Sequence, residues 1–153
     1  MKRSYICALA IAATLMATTA NAERLLNSDL DPSDPAQQTE LITEVVIQEF
    51  AVLEPLVPGI TETMLDIFDC ETNSKRNGLI EHLKPDGQLV RNYNTRRAFG
   101  FAQLVPNPHE RMAASKGLDL TEVHDQIDYS VFLVRDRIRM GDEPSKDWEA
   151  CWS

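Results

Sequence analysis

Apolar positions recur along this chain in helix-spaced groups, separated by polar strips rich in turn-forming residues. A short apolar run from Tyr5 to Ala17, with Thr14 inside it, comes first, after Lys2 and Arg3 and before Ala20-Asn21-Ala22. A basic start, a short apolar middle and a small-x-small site predict a secretory signal peptide over residues 1–22. The run is shorter than the roughly 20 residues a spanning helix needs. Residues 23–38 carry Asn27, Ser28, Asp29, Asp31, Pro32, Ser33, Asp34 and Pro35. They read as a polar, turn-forming and mobile leader. From about Pro35 the period changes. Leu41, Ile42, Val45, Val46, Phe50 and Leu53 predict a helix that stops before Pro55.

Pro58-Gly59 marks a new start, and Ile60, Met64, Ile67 and Phe68 form a second helical stripe. From Asn73 to Asn94 the chain is polar and turn-rich, with one small hairpin expected around Pro85-Asp86-Gly87. Asn107-Pro108 reads as the N-cap and first residue of a third helix, which Gly117 ends. Val123, Ile127, Val131, Val134 and Ile138 stripe a last helix that Gly141 stops. These elements predict a mainly α domain over residues 39–153, with a turn-rich insert and at most a small β-hairpin.

Charge and cysteine count narrow the function classes. The chain has 153 residues and a formal net charge of −9. Removing residues 1–22 takes away Lys2 and Arg3, leaving 131 residues and a charge of −11. Such an acidic chain is a poor partner for nucleic acid or an anionic membrane. The mature protein is expected to be exported, to the periplasm or beyond, and free of the membrane. Its two cysteines, Cys70 and Cys151, are an even count in an oxidising compartment, which favours one disulfide. Two cysteines without paired His/Cys spacing are a weak zinc signature, so no metal and no cofactor is expected.

The chemistry centres on Glu71, one turn beyond Ile67 at the edge of the second stripe. Helix packing would carry this carboxyl into a pocket, and a partly buried carboxyl can stay protonated near neutral pH and serve as a general acid. Other strings follow in order: Cys70-Glu71-Thr72, Pro85-Asp86-Gly87-Gln88-Leu89-Val90-Arg91, Gly100-Phe101-Ala102-Gln103, Gly117-Leu118-Asp119-Leu120, Ile127-Asp128-Tyr129 and Cys151-Trp152. Together they resemble the lysozyme-like domain of soluble lytic transglycosylases, in a compact single-domain secreted branch.

That resemblance implies a monomer that cleaves the β-1,4 bond between MurNAc and GlcNAc in peptidoglycan, with Glu71 as acid and base. It implies substrate contacts from Thr72, Gly100, Gln103 and Tyr129. Gly100 would let the backbone approach the saccharide, and Gln103 would bond a sugar or its N-acetyl group. The chain departs from the family pattern at several places: Thr72 stands for a usual Ser, Gln126 for a common Asn, Ser145 for an expected Trp, and Phe101-Ala102 precede Gln103.

Several residues admit two roles. Gln103 either lines a glycan cleft or caps local backbone. Tyr129 either faces the cleft or fills the core. Arg91, Arg96 and Arg97 either grip lactyl or peptide carboxylates or lie on a solvated loop. Trp148 and Trp152 either stack on sugars or plug the core near the disulfide. His82, His109 and His124 are scattered and read as surface or capping residues. Muramidase activity and non-catalytic glycan binding are the alternative functions.

Overall fold

A computed structural model describes residues 23–72, 78–91 and 97–151. Residues 1–22, expected to be a signal peptide, and Asn73, Arg96 and Trp152 lie outside the described residues. Among those described, the architecture is mainly helical: α1 (Pro35–Phe50), α2 (Ile60–Thr72), α3 (Pro106–Ala114) and α4 (Val123–Met140), with short 3-10 turns at Asn27–Asp29 and Lys146–Cys151. The expected hairpin is present only as an isolated antiparallel bridge, Leu83 with Leu89. Its turn closes through Gly87 N donating to the Lys84 carbonyl at 2.8 Å, and Gly87 supplies the positive φ of 76°.

Local chemistry explains the helix ends. Asp34 caps α1 by accepting from the Ala36 and Gln37 amides, with Pro35 in the first turn. Gly141 ends α4 in the left-handed conformation, φ 74°. Asn107 does not cap α3 with its side chain. Extended backbone at Asn107 interrupts an element that begins at Pro106 behind Val105. The apolar stripes of α1, α2 and α4 meet in one core, where Phe68 is the aromatic hub. Its ring lies edge-on to Phe50, Phe101 and Trp148 at centroid distances of 6.3, 4.8 and 6.0 Å.

Residues 23–38 differ from the mobile leader expected. Leu25 and Leu30 are buried in the core. The Leu25 amide donates to His124 Nδ1 at 3.1 Å, and Asn27 Oδ1 accepts from the Val123 amide, capping α4 from a distant part of the chain. Arg24 pairs with Asp125. Gln38, a polar residue at the boundary assigned from sequence, is fully buried. Its Oε1 accepts from the His82 and Leu83 amides at 3.0 and 2.9 Å, and its Nε2 donates to the Leu83 carbonyl. One amide side chain thus ties α1 to the hairpin segment, because buried backbone polar groups must be paired.

His82 is also fully buried rather than on the surface. Its Nε2 lies 3.1 Å from the Thr121 carbonyl. Burial pushes the imidazole down to about 4, only partly offset by that bond. The unfolded chain therefore takes up a proton below its ordinary value near 6.5, while the folded chain refuses it until about pH 4. This contribution to stability is fully present above pH 6.5 and lost as pH falls to 4. It amounts to roughly 3 kcal/mol. Urea unfolding of wild type and His82→Asn at pH 7 and pH 4.5 is expected to show the variant's deficit shrinking at the lower pH. A deficit independent of pH would contradict the buried neutral imidazole.

Candidate functional site

Glu71 sits in the last turn of α2, half-buried, three residues beyond the hub Phe68. Burial pushes its carboxyl up to about 7. Among the described residues, no charge or hydrogen bond adds to the rise. At neutral pH the group is divided between acid and carboxylate, the condition a proton donor and acceptor needs. Two structures hold this end of α2. Cys70 is bridged to Cys151, with Cα atoms 5.8 Å apart. The Thr72 hydroxyl lies 2.8 Å from the Phe68 carbonyl and 2.9 Å from the Leu79 carbonyl. Thr72 thus fastens the helix end to the segment that follows.

The second part of the site is the tight turn from Phe99 to Leu104. Phe99 bridges both Arg91 and Leu104, and the Gly100 amide donates to the Val90 carbonyl at 2.8 Å. Phe101 packs on Phe68, and Trp148 Nε1 donates to the Ala102 carbonyl at 2.9 Å. The turn is thereby fixed against α2 close to Glu71 in sequence. Trp148 is buried and takes the plug role.

Gly100 has a specific structural reason. Its φ is +69°, and a Cβ there would lie 2.2 Å from Gln126 Nε2. Gln126 is buried and stitches the turn to α4. Its Oε1 accepts from the Ala102 amide, and its Nε2 donates to the Leu120 carbonyl, both at 2.9 Å. Gly100→Ala should therefore cost roughly 2–4 kcal/mol, the sum of left-handed strain and overpacking. Gly87→Ala, also at positive φ but with open space around its Cβ, isolates the strain alone. Thermal melting of the two variants is expected to separate them clearly; equal losses would contradict the role of Gln126.

Gln103 has left-handed backbone, φ +50°, unusual for a residue with a side chain. It is buried, and its Nε2 donates to the Gly100 carbonyl at 2.7 Å. Its Oε1 is also buried and has no partner among the described residues. A strained backbone and an unsatisfied buried acceptor both cost free energy, and such costs concentrate at functional sites.

Tyr129, expected to face the cleft, is instead completely buried. Its hydroxyl lies 2.9 Å from His109 Nδ1, and burial together with Asp147 pushes it up to about 12. It is a core residue on α4, and it makes no surface for a ligand. The structure thus joins Gly100 and Gln103 in one turn, ties that turn to α4 through Gln126, and fixes it to the helix of Glu71. It places Tyr129 elsewhere.

Glu49, His124 and Asp128 cluster at the N-terminal end of α4, their ligand atoms within 4.8 Å of one another. His124 Nδ1 already accepts the Leu25 amide proton. Neutral His124 then carries its own proton on Nε2, the nitrogen that faces Glu49 and Asp128 at 3.9 and 4.0 Å. A protonated nitrogen has no lone pair for a metal ion, and at these distances it makes no hydrogen bond to either carboxylate.

Comparison with family models, curated proteins and solved structures finds no match for this chain. Among the described residues, no helix is long and apolar enough to cross a membrane.

Proposed function

We propose that this protein is a peptidoglycan lytic transglycosylase on a lysozyme-like helical fold, exported and acting as a monomer, with Glu71 as its acid and base. The observation that carries the proposal is the Glu71 carboxyl, half-buried at the end of α2 and raised to about 7 by burial. The left-handed backbone of Gln103 in the adjoining turn supplies a second support, since such strain concentrates at functional sites.

The chemistry needs one group in two protonation states. Protonated Glu71 gives its proton to the glycosidic oxygen as the bond to the anomeric carbon breaks. The substrate's N-acetyl carbonyl stabilises the positive charge that develops there. Glu71, now a carboxylate, removes the proton from the 6-hydroxyl, whose oxygen closes onto the anomeric carbon. The product carries a 1,6-anhydro ring, no water is consumed, and Glu71 ends protonated. This belongs with substrate-assisted exceptions to the two-carboxylate rule. A second carboxylate has little claim. Asp86 is exposed in the hairpin turn, where it accepts from the Gln88 amide. Asp69 stands two residues before Glu71, roughly on the opposite side of a helix with 3.6 residues per turn.

The pH profile of turnover tests the assignment. Activity on purified peptidoglycan is expected to fall as pH rises through about 7, because the proton donor is lost. Activity that holds level up to pH 9 would exclude Glu71 as the acid.

A further inference from the structure

The segment before α1 is fastened to the start of α4 in two different ways. Arg24 and Leu25 depend on groups that change charge or share charge. The Leu25 amide donates to His124 Nδ1 at 3.1 Å, so the lone pair of that nitrogen is in use. Arg24 pairs with Asp125 and lies 3.7 Å from Asp128. The neutral His124 ring turns its Nε2–H toward Glu49 of α1 and Asp128 of α4, at 3.9 and 4.0 Å. The seam thus sets the carboxylates of Glu49, Asp125 and Asp128 against one guanidinium and one uncharged imidazole. Beyond Leu25 the attachment no longer involves His124. The Leu26 amide donates to Asp29 at 2.7 Å, and the Asn27 amide to Glu122 at 3.4 Å. Asn27 Nδ2 donates to the Thr121 carbonyl at 2.7 Å, and its Oδ1 accepts from the Val123 amide at 3.0 Å.

We propose that protonation of His124 releases residues 23–25 from α4, which makes this segment an acid-sensitive strap hinged at Leu26. A proton and the Leu25 amide compete for the same lone pair. An imidazolium carries hydrogen on both ring nitrogens. Its Nδ1–H would face the Leu25 N–H with no acceptor between them, and a buried donor without a partner is costly. The charge gained by the ring is favoured by Glu49 and Asp128. The charged ring also competes with Arg24 for Asp128, so the neighbouring anchor weakens at the same time. The lone pair fixes the sign: the strap is docked while Nδ1 is unprotonated and is lost as pH falls. Histidine changes charge within the range from about pH 5 to 8. Release withdraws the buried Leu25 side chain from the core, while Asn27 keeps its cap on α4.

The test is amide hydrogen exchange of the ¹⁵N-labelled protein, followed by NMR from pH 8 to pH 5 and corrected for the intrinsic pH dependence of exchange. Protection of the Leu25 amide is expected to fall by about tenfold or more over this range. The Val134 amide, inside α4, should not show this loss. His124→Asn places an uncharged oxygen near the position of Nδ1, where it accepts from Leu25 at every pH. Leu25 protection in that variant should be equal at pH 8 and pH 5. Glu49→Gln removes one carboxylate that favours the added proton, and should move the release about half a pH unit lower. Level Leu25 protection in wild type, an equal fall in His124→Asn, or a matching fall at Val134 would overturn the strap. Should His124→Asn fail to fold, Glu49→Gln decides: a lowered release pH upholds the strap, and an unmoved one overturns it.

Discussion

Glu71→Gln is expected to abolish glycan cleavage and, at the same time, to make the folded chain more stable at neutral and alkaline pH. Glutamine keeps the shape of the side chain but neither gives nor takes the proton. General acid–base catalysis is worth about 10²–10⁴-fold, so the loss should be at least that large. The stability gain follows from the same burial. The folded-state value of about 7 lies above the ordinary 4.5. Stability from this group is therefore fully present below pH 4.5 and is lost as pH rises through 7. Above pH 7 a half-buried carboxylate costs roughly 1–3 kcal/mol after allowance for solvent screening. Glutamine removes that cost. Turnover assays and urea unfolding at pH 5 and pH 8 check both halves. A variant that keeps a tenth of the activity, or gains nothing at pH 8, would exclude the assignment.

His82 and Glu71 pull in opposite directions across the mildly acidic range. Lowering pH from 6.5 to 4 weakens the fold through His82, while lowering it from 7 to 4.5 strengthens the fold through Glu71. Wild type should thus show a shallow pH dependence between about 4.5 and 6.5, and Glu71→Gln should reveal the steeper His82 slope.

Loss of the Cys70–Cys151 bridge should have the next largest effect. It closes a sequence separation of 81 residues and joins the residue beside Glu71 to the C-terminal 3-10 turn. A bridge of this kind contributes roughly 2–4 kcal/mol, mainly by restricting the unfolded chain. Cys70→Ser/Cys151→Ser should lower the melting temperature by about 10 °C. Activity should fall severalfold even well below that temperature, because the end of α2 that bears Glu71 loses one of its two anchors. The Thr72 bonds to Phe68 and Leu79 are the other. Thiol titration of the unfolded, unreduced chain should find no free thiol at either position. Full activity in the double variant at low temperature would detach the bridge from the site.

The helical periodicity made α1, α2 and α4 legible, since apolar residues at helical spacing have few other uses. Glycine at 141 and the Pro85-Asp86-Gly87 turn were legible for the same reason: few residues suit those backbones. The disulfide followed from parity and compartment. What stayed hidden were polar residues buried by distant partners. Gln38 meets backbone 44 and 45 residues away, and Gln126 reaches Ala102 24 residues back. Nothing local separates such an amide from a solvated one. The leader was misjudged because Leu25 and Leu30 are too few to form a stripe. Of the two roles open to Tyr129, the structure shows the core one; α4 is buried continuously from Val123 to Ile127, so its stripe alone did not decide between them. Within the candidate site, the partial burial of Glu71 was legible from its place on a stripe. The strain at Gln103 was not, because φ is invisible in a sequence.

The most direct measurement is mass analysis of the fragments released from purified peptidoglycan, before and after borohydride treatment. The account predicts fragments ending in 1,6-anhydro-muramyl groups whose masses borohydride leaves unchanged, and none released by Glu71→Gln. Fragments that all gain the mass of a reduced end would show hydrolysis instead, and an intact sacculus with wild type would contradict glycan cleavage altogether.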